Sequence, residues 1–171
     1  MQNNHDVDYY FLMWDLSMGN IPEIVADGDD VYTAYLMSSK ILDNYSPVKL
    51  KVERPRKKHN MVDYFGPEPY ISKRLSALLE GLKLPYLQFV PIYLRGYKDE
   101  MFDYVYLRVC NRLPLLDIEK SICEYNERLG LAKSIDTYVI DREKIAKLQL
   151  EDRLLFYFHE KPNFIVFHKD I

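Results

Sequence analysis

The chain has 171 residues, with 23 Lys and Arg against 26 Asp and Glu and a formal net charge of -3. At 48% hydrophobic and 29% charged it is too apolar for a disordered chain and too charged for a membrane bundle. No apolar run reaches the ~18–20 residues that cross a bilayer, and the polar stretch from Met1 to Asp8 is not a secretory leader.

The run from Tyr9 to Trp14 is continuously apolar and predicts a buried strand, with Trp14 in the core. Gly19-Asn20 and Asp27-Gly28 are turn signals that bracket a second strand within Ile21 to Ala26. Val31 to Leu42 fits strand and helix equally. Lys49-Leu50-Lys51-Val52 alternates as an exposed strand does. Arg54 to Asn60 and Phe65 to Pro69 read as loops. Ser72 to Leu82 predicts a helix capped by Ser72, with Leu75, Leu78, Leu79 and Leu82 on one face and Gly81 and Pro85 at its end.

Tyr86 to Leu94 then reads as a strand in which Pro91 marks a bulge or an edge. Phe102 to Val109 reads as its hairpin partner across Gly96 to Glu100. Leu115 to Glu127 carries no clear pattern. Ile135 to Ile140 predicts a strand, and Asp141 caps a short helix that ends near Leu148. Leu154 to Phe158 and Phe164 to Phe167 are two further strands, separated by Glu160-Lys161-Pro162-Asn163. Strands dominate and helices are few and not regularly interleaved. The expected fold is α+β, with mostly antiparallel sheet and a few short helices in one continuous domain of one or two lobes.

The near-neutral charge hides a segregation. From Asp6 to Asp30 there are seven carboxylates, Asp27, Asp29 and Asp30 among them, and no Lys or Arg. From Lys49 to Lys58 there are six cations against Glu53 alone. Cys110 and Cys123 are too few for a disulfide framework and read as reduced thiols of a cytoplasmic protein, Cys110 buried in its strand.

Familiar catalytic patterns are missing from the sequence. The glycines are scattered, no Gly-x-Ser-x-Gly occurs, and His5, His59, His159 and His168 stand far apart. Asp27-Gly28-Asp29-Asp30 lacks the spacing of a calcium loop. In Asp117-Ile118-Glu119-Lys120 the acid and the lysine are adjacent, which places them on opposite sides of an extended chain and not on one nuclease face. The basic block lacks interleaved aromatics and the chain's pI is about 5.8, which weighs against nucleic acid. No metal, cofactor, membrane or nucleic acid is expected.

Four stretches together resemble one family. They are Pro69 to Leu82 with Leu87-Gln88-Phe89-Val90-Pro91-Ile92; Leu107 to Asn111 with Leu116-Asp117-Ile118-Glu119-Lys120-Ser121; Ser134 to Ile145; and Arg153 to Phe158. In order and spacing they are similar to the group eleven immunity proteins of bacterial polymorphic-toxin systems, over about residues 69–171. Tyr157 departs from the pattern, standing where an Arg is common. Residues 1–60 are the variable part. The resemblance implies a cytoplasmic, non-catalytic protein that binds and neutralises a cognate toxin, with no cofactor. It transfers no contact residues. Asp27, Asp29 and Asp30 are the candidate contacts, since a toxin that attacks nucleic acid needs a basic cleft; the competing surface is the basic block Arg54 to Lys58, which would suit a toxin with a carboxylate-lined site. The motif residues Asn111, Asp117, Glu119, Lys120 and Ser121 are expected to form a structural turn network. The alternative is a small metal-dependent hydrolase or nuclease that gathers carboxylates from Asp117, Glu119 and the N-terminal acids.

Overall fold

The structure is a computed structural model and describes residues 8–12, 22–27, 39–53, 62–65 and 68–171. Trp14, the Val31–Leu42 stretch up to residue 38, and Arg54 to Lys58 lie outside the described residues. The strands are β1 (Tyr9–Phe11), β2 (Ile24–Ala26), β3 (Val48–Val52), β4 (Tyr64–Phe65), β5 (Tyr70–Ser72), β6 (Leu87–Arg95), β7 (Met101–Val109), β8 (Arg112–Leu113), β9 (Ile122–Asn126), β10 (Leu131–Thr137), β11 (Leu155–Phe158) and β12 (Lys161–His168). The described α-helices are α1 (Lys73–Glu80), α2 (Arg142–Ile145) and α3 (Leu150–Arg153). The chain divides into two compact units, Met13–Cys110 and a second built from Met1–Leu12 with Asn111–Ile171.

The unit Met13–Cys110 is a six-stranded sheet in the order β2-β3-β6-β7-β5-β4. Its spine is the β6–β7 hairpin, paired without interruption from Leu87↔Val109 to Arg95↔Met101. The turn between them is closed by the Gly96 N–H on the Glu100 carbonyl at 2.7 Å. A Cβ on Gly96 would stand 2.4 Å from the Phe102 ring, so any side chain there would force that ring to move. Of the bulge or edge expected at Pro91, the bulge is absent, since the register runs straight through Pro91↔Val105, and the edge is present on the side toward β3. Pairing to β3 begins only at Ile92, so the missing proline N–H removes no rung. β3 lies parallel to β6, the one parallel pair among the described strands of a sheet that is otherwise antiparallel, as expected. Nor is β3 an exposed strand: Val48, Leu50 and Val52 are buried, and only the lysine side is open.

Helix α1 starts where the sequence predicts. Ser72 Oγ accepts the Leu75 N–H at 3.2 Å, satisfying one donor of the first turn. The four-leucine face is corrected. Leu79 is buried and Leu75 and Leu82 are half-buried, but Leu78 is 69% exposed. At about 100° per residue, Leu78 is rotated away from Leu79 onto the flank, while Ser76 turns inward and is buried.

The second unit holds a four-stranded sheet, β1-β12-β11-β8, and the two-stranded β9–β10 ribbon. β8 runs parallel to β11 and the other pairings are antiparallel. All four residues of β11 are buried, and Phe156 and Phe158 stack edge to face with ring centroids 5.7 Å apart. A bulge sits in β12: Tyr157 pairs with Ile165 but Phe158 with Lys161. Pro162 lies inside this irregularity, where no ladder bond is needed from it. The strand expected over Ile135 to Ile140 is shifted to Leu131–Thr137. Tyr138 leaves the ribbon because its buried hydroxyl donates to the Tyr9 carbonyl at 2.9 Å, and Val139 N–H goes to Ser121 Oγ at 2.9 Å. Asp141 caps α2, accepting from the N–H groups of Glu143 and Lys144 at 3.1 and 3.0 Å. The unpatterned stretch Leu115 to Glu127 contributes β9. Across both units the pairing is mostly antiparallel, as expected, with two parallel pairs among the described strands; the class is corrected, since the fold is sheet-dominated rather than clearly α+β.

Candidate functional site

Two clusters were singled out by sequence, and they have different fates. In the first, Asp117 makes a closed turn. Its Oδ1 accepts the Lys120 N–H at 3.2 Å, its Oδ2 takes the Lys120 ammonium at 2.7 Å, and its carbonyl accepts the Ser121 N–H at 2.9 Å. The Lys120 contacts hold the Asp117 carboxyl below its ordinary range and push the Lys120 ammonium up. The Asp117 N–H donates to the Val139 carbonyl at 2.8 Å, and Leu116 bridges to Ile140. The turn is thus stapled to residues 139–140 through both Asp117 and Ser121. Asn111 Nδ2 donates to the Asp152 carbonyl at the end of α3, and its own carbonyl accepts the Tyr157 N–H at 3.0 Å. Glu119 is exposed. These contacts hold backbone in place. Among the described residues, no three His, Cys, Asp or Glu side chains come together to hold a metal ion.

The second cluster is the acidic segment. Asp29 and Asp30 lie outside the described residues. Asp27 follows β2, where its N–H donates to the Lys49 carbonyl at 3.0 Å. It was expected to reach outward from a turn. Instead its carboxylate is held between Lys51 Nζ, at 3.3 Å, and Arg95 Nη2, at 2.9 Å. Arg95 also reaches Asp99 at 3.4 Å.

Those cations belong to a feature that the sequence reading missed. The buried side of β3, β6 and β7 carries Leu50, Leu94 and Tyr104. The other side presents Lys49 and Lys51 on β3, Tyr93 and Arg95 on β6, and Met101 and Asp103 on β7. Parallel register sets Lys49 beside Tyr93 and Lys51 beside Arg95; antiparallel register sets Asp103 beside Tyr93 and Met101 beside Arg95. Tyr93 is 54% exposed and Met101 57%. The signal was the alternation Ile92-Tyr93-Leu94-Arg95, in which an aromatic residue shares the charged side of a strand.

On the buried side, the end of the same hairpin is polar. Gln88 lies opposite Arg108, which is fully buried. Arg108 Nη1 donates to Gln88 Oε1, and Nη2 donates to the Lys40 carbonyl at 2.8 Å. Gln88 also exchanges two hydrogen bonds with the Leu42 backbone, at 2.7 and 2.9 Å. This layer pins residues 40–42 to the sheet. Cys110 joins it as a half-buried thiol 3.7 Å from the Lys40 carbonyl, not the fully buried one expected.

The model of the immunity protein family (Imm11) matches residues 19–157, most of the chain, and the chain belongs to that family. The match starts well before residue 69, where the sequence resemblance began, and takes in part of the stretch read as variable. No curated protein matches the chain. No helix among the described residues is long and apolar enough to cross a membrane.

Proposed function

We propose that this chain is a non-catalytic immunity protein of a polymorphic-toxin system, which binds a cognate toxin in the cytoplasm of the producing cell and neutralises it. The observation that carries this reading is the family match over residues 19–157. The geometry supports it in a second way. Asp117, the acid that a hydrolase reading would need, is tied to Lys120 in a local turn. A tight complex of this kind buries on the order of 1,600 Å².

The test is co-expression with the toxic domain encoded beside this chain. Growth should be restored, and the two purified proteins should form a stoichiometric complex by calorimetry. Restored growth without a complex would defeat the reading, as would protection lost in the double variant Asp117→Asn, Glu119→Gln when its folded state is intact.

A further inference from the structure

We propose that the open side of β3, β6 and β7, centred on Lys49 and Tyr93, is the surface that receives the partner protein, and that the partner meets it with carboxylates around an apolar side chain. The proposal rests on the toxin-binding reading and names its contact surface.

Three observations converge on this face. The first is exposure in an otherwise well-packed sheet. On the same side of β7, Val105, Leu107 and Val109 are at most 4% exposed; from Asp103 outward the side is open, and Tyr93 and Met101 each show more than half their surface. The second is composition. Tyr, Met and Arg are enriched in interface cores, and Tyr and Arg are frequent hot spots. Here Tyr93 and Met101 are diagonal neighbours across one ladder, so long side chains from both reach the same partner group.

The third is charge. Lys51 and Arg95 share the single carboxylate of Asp27, and Lys49 has no carboxylate partner among the described residues. Of the acids nearby, Asp99 is spent on Arg95, Glu53 follows the end of β3, and Asp103 stands on the far strand. In sequence, Lys49 and Lys51 open the basic run that continues with Arg54, Arg56, Lys57 and Lys58. The β3 side of the face is cationic, and its complement is acidic. This is the opposite sign from the contact expected at Asp27, Asp29 and Asp30.

The probe is the toxic domain encoded beside this chain, rendered inactive. Zero-length carbodiimide coupling joins amines only to carboxylates in contact, so it should link Lys49 or Lys51 to Asp or Glu of the partner. Lys49→Glu with Lys51→Glu should slow association on the order of tenfold at low salt, with the difference shrinking as salt rises. Tyr93→Ala should speed dissociation about tenfold or more. Asp27→Asn, which leaves Lys51 without its acid and Arg95 with Asp99 alone, should speed association; an acidic contact would slow it. If the native chain binds and these variants bind as it does, the face is wrong and the toxin-binding reading stands. If the native chain does not bind, both fall.

Discussion

Arg95 Nη2 donates to both carboxylate oxygens of Asp27, at 3.0 and 2.9 Å, across 68 positions of sequence. This contact fastens the edge strand β2 to the central strand β6 over the top of β3. Both side chains remain partly exposed, so the pair is screened. A double-mutant cycle with Asp27→Ala and Arg95→Ala should give a coupling of about 0.2–1 kcal/mol that fades with added salt. A coupling of several kcal/mol, insensitive to salt, would show that the pair is far less solvated than the structure has it.

The two central leucines of α1 should respond very differently. Leu79→Ala removes a buried side chain and is expected to cost about 2–5 kcal/mol in urea unfolding. Leu78→Ala removes an exposed one and should stay within about 0.5 kcal/mol. Equal costs would mean that the four-leucine face exists after all.

Glu160, in the turn between β11 and β12, is buried, and its Oε2 has no hydrogen-bond partner among the described residues. Burial pushes its carboxyl above the ordinary 4.5. The folded chain therefore holds this proton more tightly than the unfolded chain does. The associated stability is fully present below the ordinary value and is lost as pH rises through the raised one. Glu160→Gln should raise the melting temperature at neutral pH and flatten this part of the pH profile. An unchanged profile would refute the assignment.

Two phenols contribute to the pH dependence of stability on the alkaline side. Tyr104 donates its hydroxyl to the Val62 carbonyl at 2.6 Å, and burial pushes both Tyr104 and Tyr64 up to about 12. Between pH 10 and 12 the unfolded chain gives up these protons and the folded one keeps them. Stability should fall as pH rises through that window. Tyr104→Phe and Tyr64→Phe together should remove much of the slope, read from melting temperature against pH.

Ser121→Ala deletes the acceptor for the Val139 N–H and is expected to cost about 0.5–1.5 kcal/mol. Toxin affinity should be unchanged once the folded fraction is accounted for. A large loss of affinity with unchanged stability would turn the motif turn from scaffold into contact.

The features legible in the sequence are those set by neighbours in the chain. Ser72 and Asp141 cap helices with their own side chains, and the β6–β7 hairpin follows from two alternating runs around Gly96. The parallel pairings were not legible, because Val48 meets Ile92 and Arg112 meets Tyr157 with no local turn to announce either. Leu78 shows another limit: a helical stripe marks which residues share a side, but the neighbouring sheet decides how wide a strip is covered. The candidate face was half legible. Alternation put Tyr93 and Arg95 on one side, but which side stays open depends on everything else that packs against the strands. The charge of Asp27 was read correctly and its availability was not, because Arg95 is distant in sequence.

β1 pairs Tyr9 with His168, which follows it by about 160 residues. On the ribosome, at about 5–20 residues per second, that partner is made on the order of ten seconds or more after β1 emerges. All of Met13–Cys110 is synthesised in the interval and can close its own sheet. β1 must wait throughout as an unpaired strand carrying Tyr9-Tyr10-Phe11, and β12 would expose the edge that β1 covers. Any state in which the first dozen residues come loose therefore displays a sticky strand and a matching open edge on the same molecule. Two such molecules can satisfy each other reciprocally, so N-terminal detachment is the natural route of this fold into strand-swapped dimers.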